Sequence, residues 1–194
     1  ACAPYRRLYL CNKNMEKKGT TKITDKNDLL VDVCLAANYE AQSLIRDHPQ
    51  YQTKYNDSQI CTVLARSFAD IGDIIRGKDL YRGNNGKDKL QFSRKYMMTM
   101  STRGKNGKTL KTRYNGDKNN NFFKLREDWW TANRHTVWEA ITCGAYDGDT
   151  YFRVTCSDGR GGAQANNKCR CNDDQVPTYF DYVPQYLRWF EEWA

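Results

Sequence analysis

From Asp57-Ser58 onward the apolar residues Ile60, Val63, Leu64, Phe68, Ile71, Ile74 and Ile75 recur at steps of three and four, with Ser67 as the polar member of the stripe. That spacing puts them on one face of a helix over 57–77, started by Asp57 and Ser58 and closed by Gly77. LLVDVCLAANYEAQSLIR predicts a second helix over 29–46, with Asp28 as its N-cap and Pro49 as its stop. A third is predicted over 122–143, where Phe122, Leu125, Trp129, Ala132, Thr136, Ala140 and Cys143 share one arc and Trp130, Val137 and Ile141 widen it. Trp129 and Trp130 are thereby assigned to the core. Trp138 falls toward the polar arc of Glu127, Thr131 and His135, so it must either meet another element or stand exposed. A last helix is predicted over 184–194, with Pro184 at its start and Tyr186, Phe190 and Trp193 on one face.

Between these elements the periodicity breaks. Residues 1–28 read as loop, YFRVTC (151–156) as a short strand, and Lys168-Cys169-Arg170-Cys171 as part of a polar loop. Residues 78–121 are rich in Gly, Asn and Lys and show no periodicity; a loop of this length is usually functional or disordered. No internal repeat is visible. The chain opens abruptly at Ala1-Cys2 and ends inside its last helix, so it reads as a piece of something longer.

Composition narrows the function classes. With 194 residues, 39% of them hydrophobic, the chain suits one globular unit. The net charge of +8 is concentrated: Arg76 to Lys124 holds 14 Lys/Arg against three acids, a local excess of +11. Such a segment suits an anionic partner, whether nucleic acid, sulfated polysaccharide, a sialylated surface or acidic lipid; equally, it suits a loop that is simply solvated.

The eight cysteines (Cys2, Cys11, Cys34, Cys61, Cys143, Cys156, Cys169, Cys171) lack the paired Cys and His spacing of a zinc site and read as disulfides. Cysteines two apart rarely bond each other, which sends Cys169 and Cys171 to different partners. Disulfides place the chain in an oxidising, extracellular setting, where nucleic acid is an unusual ligand. No segment approaches the roughly 20 apolar residues of a membrane span.

Catalytic signals are missing. His48 precedes a proline and His135 lies on a polar helix face, neither with a nucleophile motif nor an i+4 histidine. The Gly-Asn tracts lack the strand-before, helix-after setting of a phosphate loop. The expectation is a binding protein with no enzyme activity, no metal and no cofactor. The sequon Asn56-Asp57-Ser58 is accounted for by the helix start.

In order along the chain, CAPYRRLYLC, LLVDVCLAANYEA, CTVLARSFADIGDIIRGKDLYRGN, LREDWWTANRHTVWEAITC, KCRC and VPTYFDYVPQYLRWFEEW closely resemble the alpha class of Duffy-binding-like domains. These belong to the malaria-parasite erythrocyte membrane protein family, the variant surface antigens of infected red cells, and the likeness runs from Cys2 to Trp193. The resemblance implies a mainly α, disulfide-stapled fold with long irregular loops. Residues 1–28 would be part of a loop-rich first subdomain and 29–194 a helical second subdomain with its basic loop at 78–121, the third subdomain being absent. It also implies a Cys61–Cys156 bond and two further bonds among Cys34, Cys143, Cys169 and Cys171 with pairing open. The family has cysteines upstream of CAPYRRL, which leaves Cys2 and Cys11 open to partners outside the chain.

The implied function is adhesion, in cytoadhesion or rosetting, on the surface of the infected host erythrocyte. The implied partners are erythrocyte-surface glycans (heparan sulfate, blood-group sugars) or receptors, antibodies and neighbouring domains, with no nucleic acid. Residues 84–121 and 157–168 depart from any family motif, as loops on a rigid scaffold can, which fits antigenic variation. No receptor-contact motif carries over residue by residue, so charge nominates the candidate glycan site: Lys87, Lys89, Arg94, Lys95, Arg103, Lys105, Lys108, Lys111, Arg113 and Lys118. The alternative is a protein-receptor or inter-domain surface built on aromatic patches, including Trp138 and the terminal helix.

Overall fold

The structure, a computed structural model, describes residues 2–17, 27–47, 60–81, 114–117, 122–156, 162–165, 167–172 and 175–194. Among them the helices are α1 (Tyr5–Leu8), α2 (Lys13–Lys17), α3 (Asp28–Asp47), α4 (Ile60–Arg76), α5 (Phe123–Ile141) and α6 (Gln185–Trp193), with a 3-10 turn at Phe180–Tyr182. The four long helices lie where the apolar stripes predict them. The proposed start of α4 at Asp57 and Ser58 and the stop at Pro49 fall outside the described residues.

Helices α3, α4 and α5 pack on one another and form the core. Cys34 lies beside Thr136, and a Cβ on Gly144 would meet Ile45, so α3 and α5 run in the same direction. Helix α4 runs against them: Arg76 approaches Glu127, Gly72 meets Trp130, and Phe68 lies between Trp130 and Trp138 with ring centroids 5.1 and 5.2 Å away. Gly72 is required by the Trp130 contact, since a Cβ there would stand 2.7 Å from the indole. At the end of α4, Gly77 takes φ 75°; its N–H donates to Ile74 O (3.2 Å) and that of Lys78 to Asp73 O (2.8 Å), the paired closure a left-handed glycine permits.

Helix α5 starts without a cap from its own flanking residue, Phe122, which sits in the left-handed region at φ 58°. Buried Asp117 supplies it from outside. Its carboxylate accepts from Lys124 N and Leu125 N, both at 3.0 Å, and its carbonyl from Phe122 N. All three tryptophans of α5 are buried, Trp138 to 2% exposure, where it packs on Phe68 and donates to Cys169 O at 3.1 Å. Its polar-arc position is answered by packing, which removes it from the candidate binding surface.

Several expectations are corrected. Residues 1–28 are not wholly loop, because α1 and α2 form there and Arg7, Leu10 and Met15 are buried. YFRVTC is not a strand: its backbone meets 163–165 at its two ends, through Tyr151 N to Ala165 O at 2.8 Å and an isolated bridge between Cys156 and Ala163, while the Tyr151 side chain turns inward to Thr178. Cys61 bonds Cys169, and Cys156 bonds Cys171, in place of the implied Cys61–Cys156 bond. The reason is local. Lys168 and Cys169 both have positive φ, 52° and 57°, which folds 167–170 into a turn closed by Arg170 N to Asn167 O at 2.9 Å. Cys169 then points at the first turn of α4 and Cys171 at Cys156, so the two near neighbours do take different partners. Cys34 and Cys143 contribute no bond, and Cys2 and Cys11 are likewise free thiols not bonded to each other.

Candidate binding surface

Helix α6 presents an inner polar face and an outer apolar one, the reverse of the usual arrangement. Gln185, Arg188 and Trp189 are buried, whereas Tyr186, Phe190 and Trp193 are 52%, 74% and 56% exposed and Leu187 is exposed beside them. The stripe of Tyr186, Phe190 and Trp193 faces outward. What seats α6 is a buried ion cluster on α4.

Asp70 is the centre of that cluster. Its Oδ1 accepts from Arg188 Nη2 (2.8 Å), Gln185 Nε2 (3.0 Å) and Trp189 Nε1 (3.3 Å), and its Oδ2 from Arg6 Nη2 (2.7 Å). Arg188 also pairs with Asp73, which pairs with Arg76 at 2.9 Å. Arg6 of α1 reaches Glu192 of α6 through Nε (3.0 Å) and Nη2 (2.9 Å), and Ser67 of α4 through Nη1 (3.0 Å). Ser67 in turn donates to buried Glu40 (2.8 Å), which also accepts from Cys11 N (2.9 Å). Asp79 pairs with Arg7 of α1 and accepts from Gln185 of α6 at 2.9 Å, and Trp193 Nε1 donates to Cys2 O at 3.0 Å. Helices α1 and α6 are thus seated side by side on α4.

Electrostatics follow from burial against pairing. Burial alone would raise the Asp70 pKa, but the Arg6 and Arg188 guanidiniums and the hydrogen bond from Gln185 outweigh it and hold the carboxyl below its ordinary value. At Asp73 burial wins over Arg188 and Arg76, and the pKa is pushed up. Arg6 goes up too, since Asp70 and Glu192 outweigh its own burial. Another buried carboxylate, Asp181 on the 3-10 turn, accepts from Trp130 Nε1 (2.9 Å) and from Arg134 through both oxygens (2.8 Å each), giving Trp130 its polar partner.

Two other exposed groups stand out: Phe152, Arg153 and Val154, with Arg153 stacked 5.1 Å from the Phe152 ring, and Val31, Leu35 and Tyr39 at four-residue steps on α3. All ten nominated cations, Lys87, Lys89, Arg94, Lys95, Arg103, Lys105, Lys108, Lys111, Arg113 and Lys118, lie outside the described residues, as does His48. His135 is on an exposed turn of α5 beside Thr136. Among the described residues no group of His, Cys, Asp and Glu could hold a metal, and no helix is long and apolar enough to cross a membrane. The ion cluster has no motif of residue types in the sequence. Its trace in the sequence is Asp70 and Asp73 set one turn apart amid the apolar run of α4, in DIGDIIR.

The overall fold resembles that of solved proteins. A crystal structure of the NTS-DBL1(alpha-1) domain of Plasmodium falciparum membrane protein 1 from the varO strain matches all of this chain at 40% identity and TM-score 0.78, over 43% of its own length. The DBLβ domain of another PfEMP1, bound to human ICAM-1, matches 97% of the chain at 32% identity and TM-score 0.72, over 38% of its length. Region II of the Plasmodium falciparum erythrocyte binding antigen 140, in complex with sialyllactose, matches 98% at 25% identity and TM-score 0.58, over 25% of its length. The chain therefore spans less than half of each of these relatives. No curated protein matches it. The Duffy binding domain pattern matches residues 1–188, and with 40% identity over the whole chain to a solved member, the chain belongs to the Duffy binding domain family.

Proposed function

We propose that this chain is part of a host-receptor-binding adhesion domain of a variant antigen on infected erythrocytes, and that it grips sulfated or blood-group glycans through its basic segment. The observation that carries the glycan reading is the +11 excess between Arg76 and Lys124 in a chain that is otherwise slightly acidic. Relatives support the broader role, one being bound to human ICAM-1 and another to sialyllactose. Each exposed ion pair contributes at most about 1 kcal/mol, so affinity would come from number. Replacing Lys105, Lys108, Lys111, Arg113 and Lys118 together by Gln is expected to reduce heparin retention at low salt by several kcal/mol, roughly one per charge removed, with Tm unchanged. Unaltered retention would remove the basic segment from the binding site.

A second reading is favoured by the outward face of α6. Tyr186, Leu187, Phe190 and Trp193 form an exposed apolar stripe on a buried ionic seat, suited to a protein receptor or an adjacent domain. Salt separates the two, because multivalent charge pairing weakens steeply with ionic strength and an apolar contact does not.

A further inference from the structure

We infer that α1 and α6 form one clasp: they dock on α4 and leave it together, so that the outward surface of α6 exists only while α1 is seated. This concerns the regulation of the surface in the second reading above and rests on that reading for its biological meaning, although not for its test.

The argument is one of shared buried charge. Arg6 of α1 and Arg188 of α6 hold opposite oxygens of the same carboxylate, Asp70, and Arg6 also carries Glu192 of α6. Asp79 is shared in the same way, between Arg7 of α1 and Gln185 of α6. Were α6 to leave alone, Asp70 would lose three of its four donors while still covered by α1; were α1 to leave alone, Glu192 would lose Arg6 and Asp79 would lose Arg7. Removing one partner of a buried pair is far costlier than removing the pair, since the charge left behind has neither water nor counter-ion. When both helices leave, Asp70 and Asp79 reach water and that penalty disappears. Half-open states are therefore the disfavoured ones.

Leaving is also comparatively cheap for the apolar core. Neither disulfide involves α1 or α6, and the large apolar residues of α6 other than Trp189 already face out. The clasp is thus separable from α3, α4 and α5, which share the tryptophan core and are anchored by the Cys61–Cys169 bond. Local opening of such units below the global unfolding free energy is a general property of folded chains.

Hydrogen exchange read by mass spectrometry tests this on the intact chain. In the wild type under mildly destabilising urea, the amides of Arg7, Leu8 and Tyr9, bonded to Pro4 and Tyr5, and those of 189–193 in α6 are expected to exchange with one common opening free energy, below that of α4 and α5. In R6Q, exchange should rise roughly ten- to a hundred-fold in α6 as well as in α1, with α3 and α5 unchanged. Acceleration confined to α1, or an α6 that opens only with α5 in the wild type, would overturn the clasp. Should R6Q fail to fold, the wild-type urea series decides alone. Since no receptor enters the measurement, its outcome is independent of whether α6 binds one.

Discussion

Asp70 shows how a single residue joins distant parts of the chain. Its carboxylate stays ionised inside the protein because four donors face it, and its depressed pKa sets a pH dependence. A carboxyl whose folded pKa lies below its unfolded value contributes stability that is present above the unfolded value, 3.8, and is lost as pH falls through the folded one. Asp73, raised by burial, acts with the opposite sign: it costs stability once pH climbs past its elevated value. D70N should accordingly unfold at lower urea than wild type at pH 7 and show a shallower loss between pH 4 and pH 2; an acid limb as steep as wild type would assign the acid sensitivity elsewhere. Thiols give a second check at this scale. Burial, followed by Glu139, pushes the Cys34 thiol up, while Cys2 and Cys143 are exposed. Iodoacetamide on the native, unreduced protein should label Cys2 and Cys143 well before Cys34 and should leave Cys61 and Cys156 untouched.

Among the elements, α5 owes its position to two contacts outside itself. Asp117 caps its first turn, and losing such a cap costs about 1 to 2 kcal/mol. D117A should therefore lower the urea midpoint by that amount without changing the slope of the transition, whereas D117N, which keeps an acceptor oxygen, should lose less; equal losses would mean that the carboxylate acts by charge alone. Trp130 needs Gly72 opposite it, and the neighbour of a new Cβ is a rigid ring packed on Phe68. G72A is expected to cost about 1 to 3 kcal/mol as overpacking, although alanine is the better helix former, and near-UV circular dichroism of the tryptophans should change with it. A stabilised G72A would show that α4 and α5 have room to part.

At the scale of the whole molecule, the Cys61–Cys169 bond closes a loop of 108 residues between the start of α4 and the turn under Trp138. The chain-entropy treatment assigns such a closure about 4 to 5 kcal/mol. The double variant C61S/C169S should therefore unfold at far lower denaturant than C156S/C171S, whose loop spans only 15 residues. Matching midpoints for the two would mean that strain or residual structure, and not loop length, governs the effect. The bond also ties residues 167–171 to the helical core, while α1, from the expected first unit, is held to α4 through the polar contacts of Arg6 with Asp70 and Ser67.

The four long helices were legible in the sequence because apolar residues at steps of three and four come onto one face only when the segment is helical. The motifs carried the family for the same kind of reason, being contiguous stretches of residues. Partner choice was not legible. Whether Cys61 meets Cys156 or Cys169 turns on the positive φ of Lys168 and Cys169, and nothing local in KCRC dictates that turn. The aromatic stripe of α6 faces out because Arg188, Gln185 and Trp189 found Asp70 and Asp73, over 110 residues away, and paired buried charge outweighed the cost of leaving Tyr186, Phe190 and Trp193 in water. A pattern of apolar residues states which face can be buried. Only the tertiary structure decides which one is, because that depends on counter-charges that the chain brings together from far apart.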